Sequence, residues 1–292
     1  MLDAHCALEM RSILGESPMW HVAESRLYWL DLRRPAIYRF DPATGRNEPV
    51  KAELGSYVGG LVFRADGSLV VDNRDGIHGV DRASGRLLPL ANPEPDKPGN
   101  WFNDAKCDRL GRLWAGTGDS KETAATGSLY VFERDHSWHA VDGNIICSNG
   151  PAFSPDGRTA YFSDSYAQQV VRYDIDPATG EIGRRRPFVK ITAPDVYPDG
   201  LTVDAEGGVW VAEWDAWRIA RYTPDGAFDR EVRLPVPRPT AMAFGGNDFR
   251  TLYITTASIG LSDAQLAEAP LSGSLFACRP GIAGLAEPAY AG

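Results

Sequence analysis

The spacing of apolar runs predicts an all-β fold. It is a six-bladed β-propeller with four-stranded antiparallel blades around a central channel, in one domain over residues 1–292. Three observations carry this. At six places a polar or small residue stands four positions before a hydrophobic one: Glu16 and Trp20, Gly59 and Phe63, Asn103 and Cys107, Asn149 and Phe153, Asp199 and Val203, Thr240 and Phe244. Self-similarity at a period of roughly 40–50 residues marks a repeat architecture, and strand-only repeats of that length read as propeller blades. Thirty glycines and 21 prolines punctuate the chain, as many short strands joined by turns require. Finally, no convincing amphipathic helix is present; residues 262–269 are the best candidate and are too short to hold without packing.

In chain order, each repeat reads as one succession. The first strand opens after its polar residue and, in a closed ring, lines the channel. Glu16, Gly59, Asn103, Asn149, Asp199 and Thr240 then share one mouth. A turn feeds an apolar second strand. Arg64-Ala65-Asp66-Gly67 precedes Leu69-Val70-Val71, Asp108-Arg109-Leu110-Gly111 precedes Leu113-Trp114-Ala115, Ser154-Pro155-Asp156-Gly157 precedes Tyr161-Phe162, and Asp204-Ala205-Glu206-Gly207 precedes Val209-Trp210-Val211. Gly accepts positive φ without steric cost, which is what a hairpin turn needs. The third strand alternates apolar residues with Arg, as in Val170-Val171-Arg172-Tyr173 and Ile219-Ala220-Arg221-Tyr222, the pattern of a strand with one wet face. The fourth strand is less regular. The longest turn-rich connections are 91–100, 116–128 and 258–273. The last two read either as lids over the channel mouth or as plain surface loops.

Composition narrows the partners. With 43% hydrophobic residues the chain supports a large core, and its formal charge of -9 argues against nucleic acid or an anionic membrane. No apolar stretch approaches the ~20 residues of a membrane span. Residues 1–12 show no basic segment followed by an apolar one, so no signal peptide is expected. Cys6, Cys107, Cys147 and Cys278 are scattered without paired spacing and read as free thiols in a reducing cytoplasm.

Glu16, Asn149 and Asp199, with Asn103 close by, make a hard-oxygen set at the mouth. Two carboxylates and carboxamide oxygens suit one divalent cation, with Ca²⁺ favoured and Zn²⁺, Mn²⁺, Mg²⁺ or Fe²⁺ admitted. Turn chemistry alone also places Asn and Asp before strands, but Glu is a poor turn former, so Glu16 is least explained that way. Trp101, two residues before Asn103, reads as ligand contact or packing. The other tryptophans fall mostly in apolar strands and read as core. His136 and His139, which flank Ser137-Trp138, read as solvated residues of an outer strand. No serine nucleophile motif and no phosphate-binding glycine loop occurs.

The segments Gly15-Glu16-Ser17-Pro18-Met19-Trp20, Phe102-Asn103-Asp104, Leu113-Trp114-Ala115-Gly116-Thr117, Ser148-Asn149-Gly150 and Pro198-Asp199-Gly200 resemble those of the gluconolactonase, or senescence marker protein 30 (regucalcin), family. Phe244-Gly245-Gly246 and Leu252-Tyr253-Ile254-Thr255-Thr256-Ala257 resemble its last blade, so the likeness covers essentially the whole chain. It implies a central cation held by Glu16, Asn149 and Asp199, with Asp199 as general base and Asn103 touching substrate or an ordered water. Two departures stand out. Members acting on aldonolactones often carry Arg where this chain has Trp101, and a carboxylate that contacts sugar hydroxyls where Lys121 stands. Indole keeps a flat surface on which a sugar ring can stack and removes most donors.

The reading that follows is a metal-dependent lactonase opening a sugar-acid lactone. The cation polarises the carbonyl, and Asp199 or metal-bound hydroxide activates water. The substrate-binding set is Trp101, Asn103 and Lys121. A hydrolase of another ester or an organophosphate, and a non-catalytic cation-binding or protein-binding propeller, are the alternatives.

Overall fold

Six sheets stand around one axis, and five of them are meanders of consecutive strands. The computed structural model describes residues 2–292. Blade 1 runs Gly15–His21, Arg26–Asp31, Ala36–Asp41, Arg46–Val50, and blade 2 runs Leu61–Phe63, Leu69–Asn73, Gly76–Val80, Leu87–Ala91. Blade 3 is Asn100–Cys107, Leu113–Asp119, Gly127–Phe132, Trp138–Ile145, and blade 4 is Ser148–Phe153, Thr159–Asp164, Gln169–Asp174, Arg186–Lys190. Blade 5 is Tyr197–Val203, Val209–Trp214, Arg218–Tyr222, Phe228–Arg233. Blade 6 takes Pro239–Gly245, Thr251–Thr256 and Leu275–Cys278 from one end of the chain and His5–Leu8 from the other. His5 stands opposite Ala277 and Cys6 opposite Phe276, so the ring is closed by pairing the two ends of the chain. Leu2–Asp3 adds a parallel fifth strand to the outer edge of blade 5.

The expected propeller and its second and third strands are therefore present. The first strands differ in one respect: in five blades the polar residue lies inside the strand rather than ahead of it. Each of those strands slips register at or just beyond that residue, at Glu16/Met19, Asn103/Ala105, Asn149/Ala152, Pro198/Leu201 and Pro239/Met242. A β-bulge bends the strand and re-aims the side chain beside it. Only in blade 2 does the polar position, Gly59, precede the strand.

Rings pack between the blades. Trp114 meets Phe153 and Tyr173, and Trp210 meets Phe244, all buried. Each Trp is anchored by an indole N–H donated to the aspartate of the preceding turn, Asp108 (2.9 Å) and Asp204 (2.7 Å). Beyond the ends of the inner strands the C-terminal segment crosses the ring. The Ala205 amide donates to Ala283 O (2.9 Å), Tyr290 to Phe63 O (2.8 Å) and Ala291 to Gly111 O (2.9 Å). The segment covers the end opposite the polar mouth, where Glu287 lies 3.6 Å from buried Lys106.

Two smaller expectations change. Residues 262–269 do contain a helix, Asp263–Glu268, because Ser262 and Gln265 form a reciprocal capping box. His136 lies in the turn before the outer strand and meets Tyr290 Oη at 2.8 Å, whereas His139 is an exposed strand residue; neither approaches the channel mouth. All four cysteines are free.

Candidate active site

The bulged inner strands bring Glu16, Asn103, Asn149 and Asp199 to the wall of one cavity of about 440 Å³, within the range of small-molecule sites. Three of these residues precede a positive-φ residue, Ser17 (47°), Asp104 (60°) and Gly150 (72°), so the backbone turns away just after the side chain enters the channel. Trp101 and Lys121 line the same cavity.

A hydrogen-bond chain around the ring fixes the carboxamides. Tyr57 Oη donates to Asn103 Oδ1 (3.1 Å). Asn103 Nδ2 donates to Ser148 O (2.7 Å) and Asn149 Oδ1 (2.8 Å). Asn149 Nδ2 donates to Ser165 Oγ (2.9 Å), which donates to Pro198 O (2.8 Å). The chain crosses from blade 2 to blade 5, so neither amide is free to rotate. Both N–H donors of Asn103 are committed, which leaves the second lone pair of its Oδ1, beside the bond from Tyr57, for a ligand or water.

The carboxylates are the opposite case. Glu16 and Asp199 are 4% and 6% exposed. Burial, then the charges of Asp199 and Asp104, holds Glu16 well above the usual carboxylate range. Burial, then Asp104 and Glu122, does the same to Asp199. Asp104 is pushed up to about 7, chiefly by burial. Glu16 Oε2 accepts one bond, from the Ser17 amide (3.0 Å). The nearby cation, Lys106, has its Nζ on Leu201 O (2.5 Å) and near Glu287. Among the described residues no group of three or more His, Cys, Asp or Glu stands at metal-holding spacing. The candidate set is two carboxylates and a carboxamide oxygen. Its donors are all hard oxygens and neither carboxyl has an ion-pair partner among the described residues, so its chemistry fits a divalent cation.

Blade 2 solves its position differently. A Cβ at Gly59 or Gly60 would stand 2.3 or 2.5 Å from the Asp72 carboxylate, so only glycine fits there. Asp72, from the second strand, fills the space; both its oxygens are buried without a hydrogen bond. Burial and the charge of Asp104 push it up to about 8.

The rim holds residues that sequence reasoning missed. Tyr57 stacks on Trp101 (4.4 Å between centroids, 10° between planes), and the Arg33 guanidinium lies 4.6 Å over the same ring. Trp101 is thus already packed, and the stacking platform expected for a sugar ring is occupied by protein. Arg33 instead supplies a guanidinium in space that position 101 lacks in sequence. Glu122, next to Lys121, lines the cavity and accepts from Tyr166 Oη (2.7 Å), so a loop carboxylate is present one residue further on. That loop is held by Asp119, which accepts from the Lys121 (3.1 Å), Thr123 (2.9 Å) and Ala124 (2.9 Å) amides. These bonds lower Asp119 to about 2. Arg238 lies over Trp214 (4.8 Å) and is paired with Asp215 (2.7 Å). The Lys121-Glu122 adjacency is visible in the sequence; the approach of Arg33, Tyr57, Trp214 and Arg238 is not. Both long connections contribute walls, Ser120 to Glu122 from one and Ile259 with Gly260 from the other.

Comparison with known proteins gives the family. The chain is 38% identical over 291 residues to a 6-deoxy-6-sulfogluconolactonase of Pseudomonas putida, covering 98% of each. It is 34% identical over 289 residues to a pentonolactonase of Haloferax volcanii, covering 95% of this chain and 94% of that one. The crystal structure of a calcium-binding protein, regucalcin, from Agrobacterium tumefaciens superposes with a TM-score of 0.93 at 29% identity, covering 99% and 97% of the two chains. Residues 14–258 match the model of the SMP-30/Gluconolactonase/LRE-like region, and the chain belongs to that family.

Proposed function

We propose that the chain is a metal-dependent lactonase that hydrolyses a sugar-acid lactone. The observation that carries this is the pair of buried carboxyls without ion-pair partners, Glu16 and Asp199, facing a cavity beside a locked carboxamide, Asn149. The lactonase names of the relatives support the reaction class, and the calcium-binding description of the structural relative supports a divalent cation, with Ca²⁺ first. Glu16, Asn149 and Asp199 would hold that cation, which when bound supplies Lewis-acid polarisation of the lactone carbonyl.

The rest is done by side chains. Asp199 takes a proton from the attacking water at its carboxylate and returns it to the ring oxygen as the acyl–oxygen bond breaks. Asn103, through its free acceptor lone pair, orients that water or a substrate hydroxyl. Glu122, held by Tyr166, accepts from sugar hydroxyls, and Lys121 donates beside it. Arg33 restores a guanidinium at the rim, which favours a polar lactone over an aryl ester. The four free cysteines support placement in a reducing cytoplasm.

The test is acid release from a panel of five- and six-membered aldonolactones, with chelator and with each divalent cation returned. Turnover that stops with chelator and resumes with a cation is expected. Turnover indifferent to chelator removes the metal, and none with any lactone in cation-loaded protein removes the lactonase.

A further inference from the structure

The cavity is acidic at its floor and basic at its rim. Glu16 and Asp199 are buried, whereas Arg33 and Lys121 are exposed at the mouth. A third rim cation, Arg238, is offset by Asp215, and the rim carboxylate Glu122 stands beside Lys121. Arg33 differs from them. Among the described residues no carboxylate lies within ion-pair reach of it, although the chain carries a net charge of -9 and its neighbour Arg34 is paired with Asp31. Its guanidinium is nevertheless held in place, over Trp101, which is itself stacked on Tyr57. A planar fork of donors that is positioned, solvent-facing and without an acceptor is the usual arrangement for bidentate recognition of an oxyanion.

We propose that the lactone opened here carries a second, anionic group on the part of the sugar remote from the carbonyl, and that Arg33 binds it. This rests on the lactonase reading above. A cation held by Glu16, Asn149 and Asp199 at the floor would draw the carbonyl end, and the opposite polarity at the rim draws the anion, so the pocket sets the direction in which the substrate enters. Carboxylate, sulfonate and phosphate share the recognising chemistry. Lys121 adds a second positive charge near the mouth but without a fixed geometry, so Arg33 carries the specificity.

The experiment compares kcat/KM for a neutral aldonolactone with those of same-ring lactones bearing a terminal carboxylate, sulfonate or phosphate. It uses the cation-loaded native protein and the Arg33→Gln and Arg33→Lys variants. Native protein is expected to prefer at least one anionic lactone by roughly 100-fold, and the highest arm names the anion. Arg33→Gln should shrink that ratio by roughly 10- to 100-fold, mainly through KM; Arg33→Lys should restore part of it; and added salt should narrow it. A native ratio near one, or Arg33→Gln lowering neutral and anionic substrates alike, overturns the proposal. If no lactone turns over, the lactonase reading fails separately. Calorimetric binding of the corresponding open-chain acids then decides the role of Arg33: tighter binding of the doubly charged acid, lost in Arg33→Gln, upholds it, and equal binding of both acids ends it.

Discussion

Asp199 and Asp204 flank one stretch of inner strand, and both are buried, yet they live in opposite surroundings. Asp204, at the covered end of the channel, accepts from the amides of Glu206 (3.0 Å) and Gly208 (2.9 Å), the Trp210 indole (2.7 Å) and Arg221 Nε (2.7 Å). Asp199, at the open end, faces other carboxylates and is held above its normal range by burial and by them. Blade 3 repeats the contrast. Asp108 accepts from the Leu110 and Arg112 amides, Arg112 Nε and the Trp114 indole, while Asp104 accepts from the Ala105 amide and is pushed up to about 7. A buried charge surrounded by donors is a structural part. One left without them is a cost to the fold that a proton or a bound cation offsets. The same residue type, a few positions along the same strand, therefore does two jobs according to which end of the channel it faces.

Substitution at each end should separate the two jobs. The largest effect expected is on turnover. Asp199→Asn should lower kcat by roughly 100- to 10,000-fold, the range of general acid–base catalysis. Its melting temperature without cation should hold or rise, since an unpaired charge is gone. Near-native turnover would take Asp199 out of the chemistry.

Next comes the covered end. Asp204→Ala should cost roughly 3–5 kcal/mol by denaturant titration, because the Trp210 N–H and Arg221 Nε stay buried without their acceptor, even though Arg221 keeps Asp229. Activity per folded molecule should be kept. A loss of activity in folded protein would erase the contrast between the ends.

Addition of a divalent cation sharpens it further. A cation that binds only the folded form stabilises it by about 2.7 kcal/mol at a hundredfold excess over Kd. That gain should appear in thermal melts of native and Asp204→Ala protein and vanish in Glu16→Gln. A gain that survives Glu16→Gln would place the cation elsewhere.

A pH-dependent effect belongs to Asp72, pushed up to about 8. The unfolded chain releases this proton near the ordinary Asp value of about 3.9. Between those two values the folded state binds more protons, so this group's contribution to stability falls as pH rises from about 4 to about 8. Asp72→Asn should flatten that part of the stability–pH curve in cation-free protein and gain most above pH 8. An unchanged slope would assign the titration to other groups.

Much of the fold and of the site is legible in the amino-acid order. The repeat period, the turn-fed second strands and the polar set of Glu16, Asn103, Asn149 and Asp199 are spacings along the chain, and period-two burial writes itself into the local pattern. Blade 2 shows where that stops. Gly59 reads as an empty position, yet its space is filled by Asp72 from the next strand, and no spacing rule connects the two. Trp101 reads as ligand contact or packing, and only the structure shows Arg33 and Tyr57, from elsewhere in the chain, covering it.

The sequence by itself thus determined the number of blades, the order of strands within a blade and which inner-strand residues point into the mouth, because each follows from the pattern within one repeat. Tertiary structure alone decided ring closure by His5–Leu8, the covering of the far end by the C-terminal segment, and the meeting of Arg33, Trp101 and Glu122 around one cavity. Those contacts join residues far apart in the chain. Their geometry depends on how neighbouring blades tilt and pack, a property of the closed ring rather than of any repeat within it.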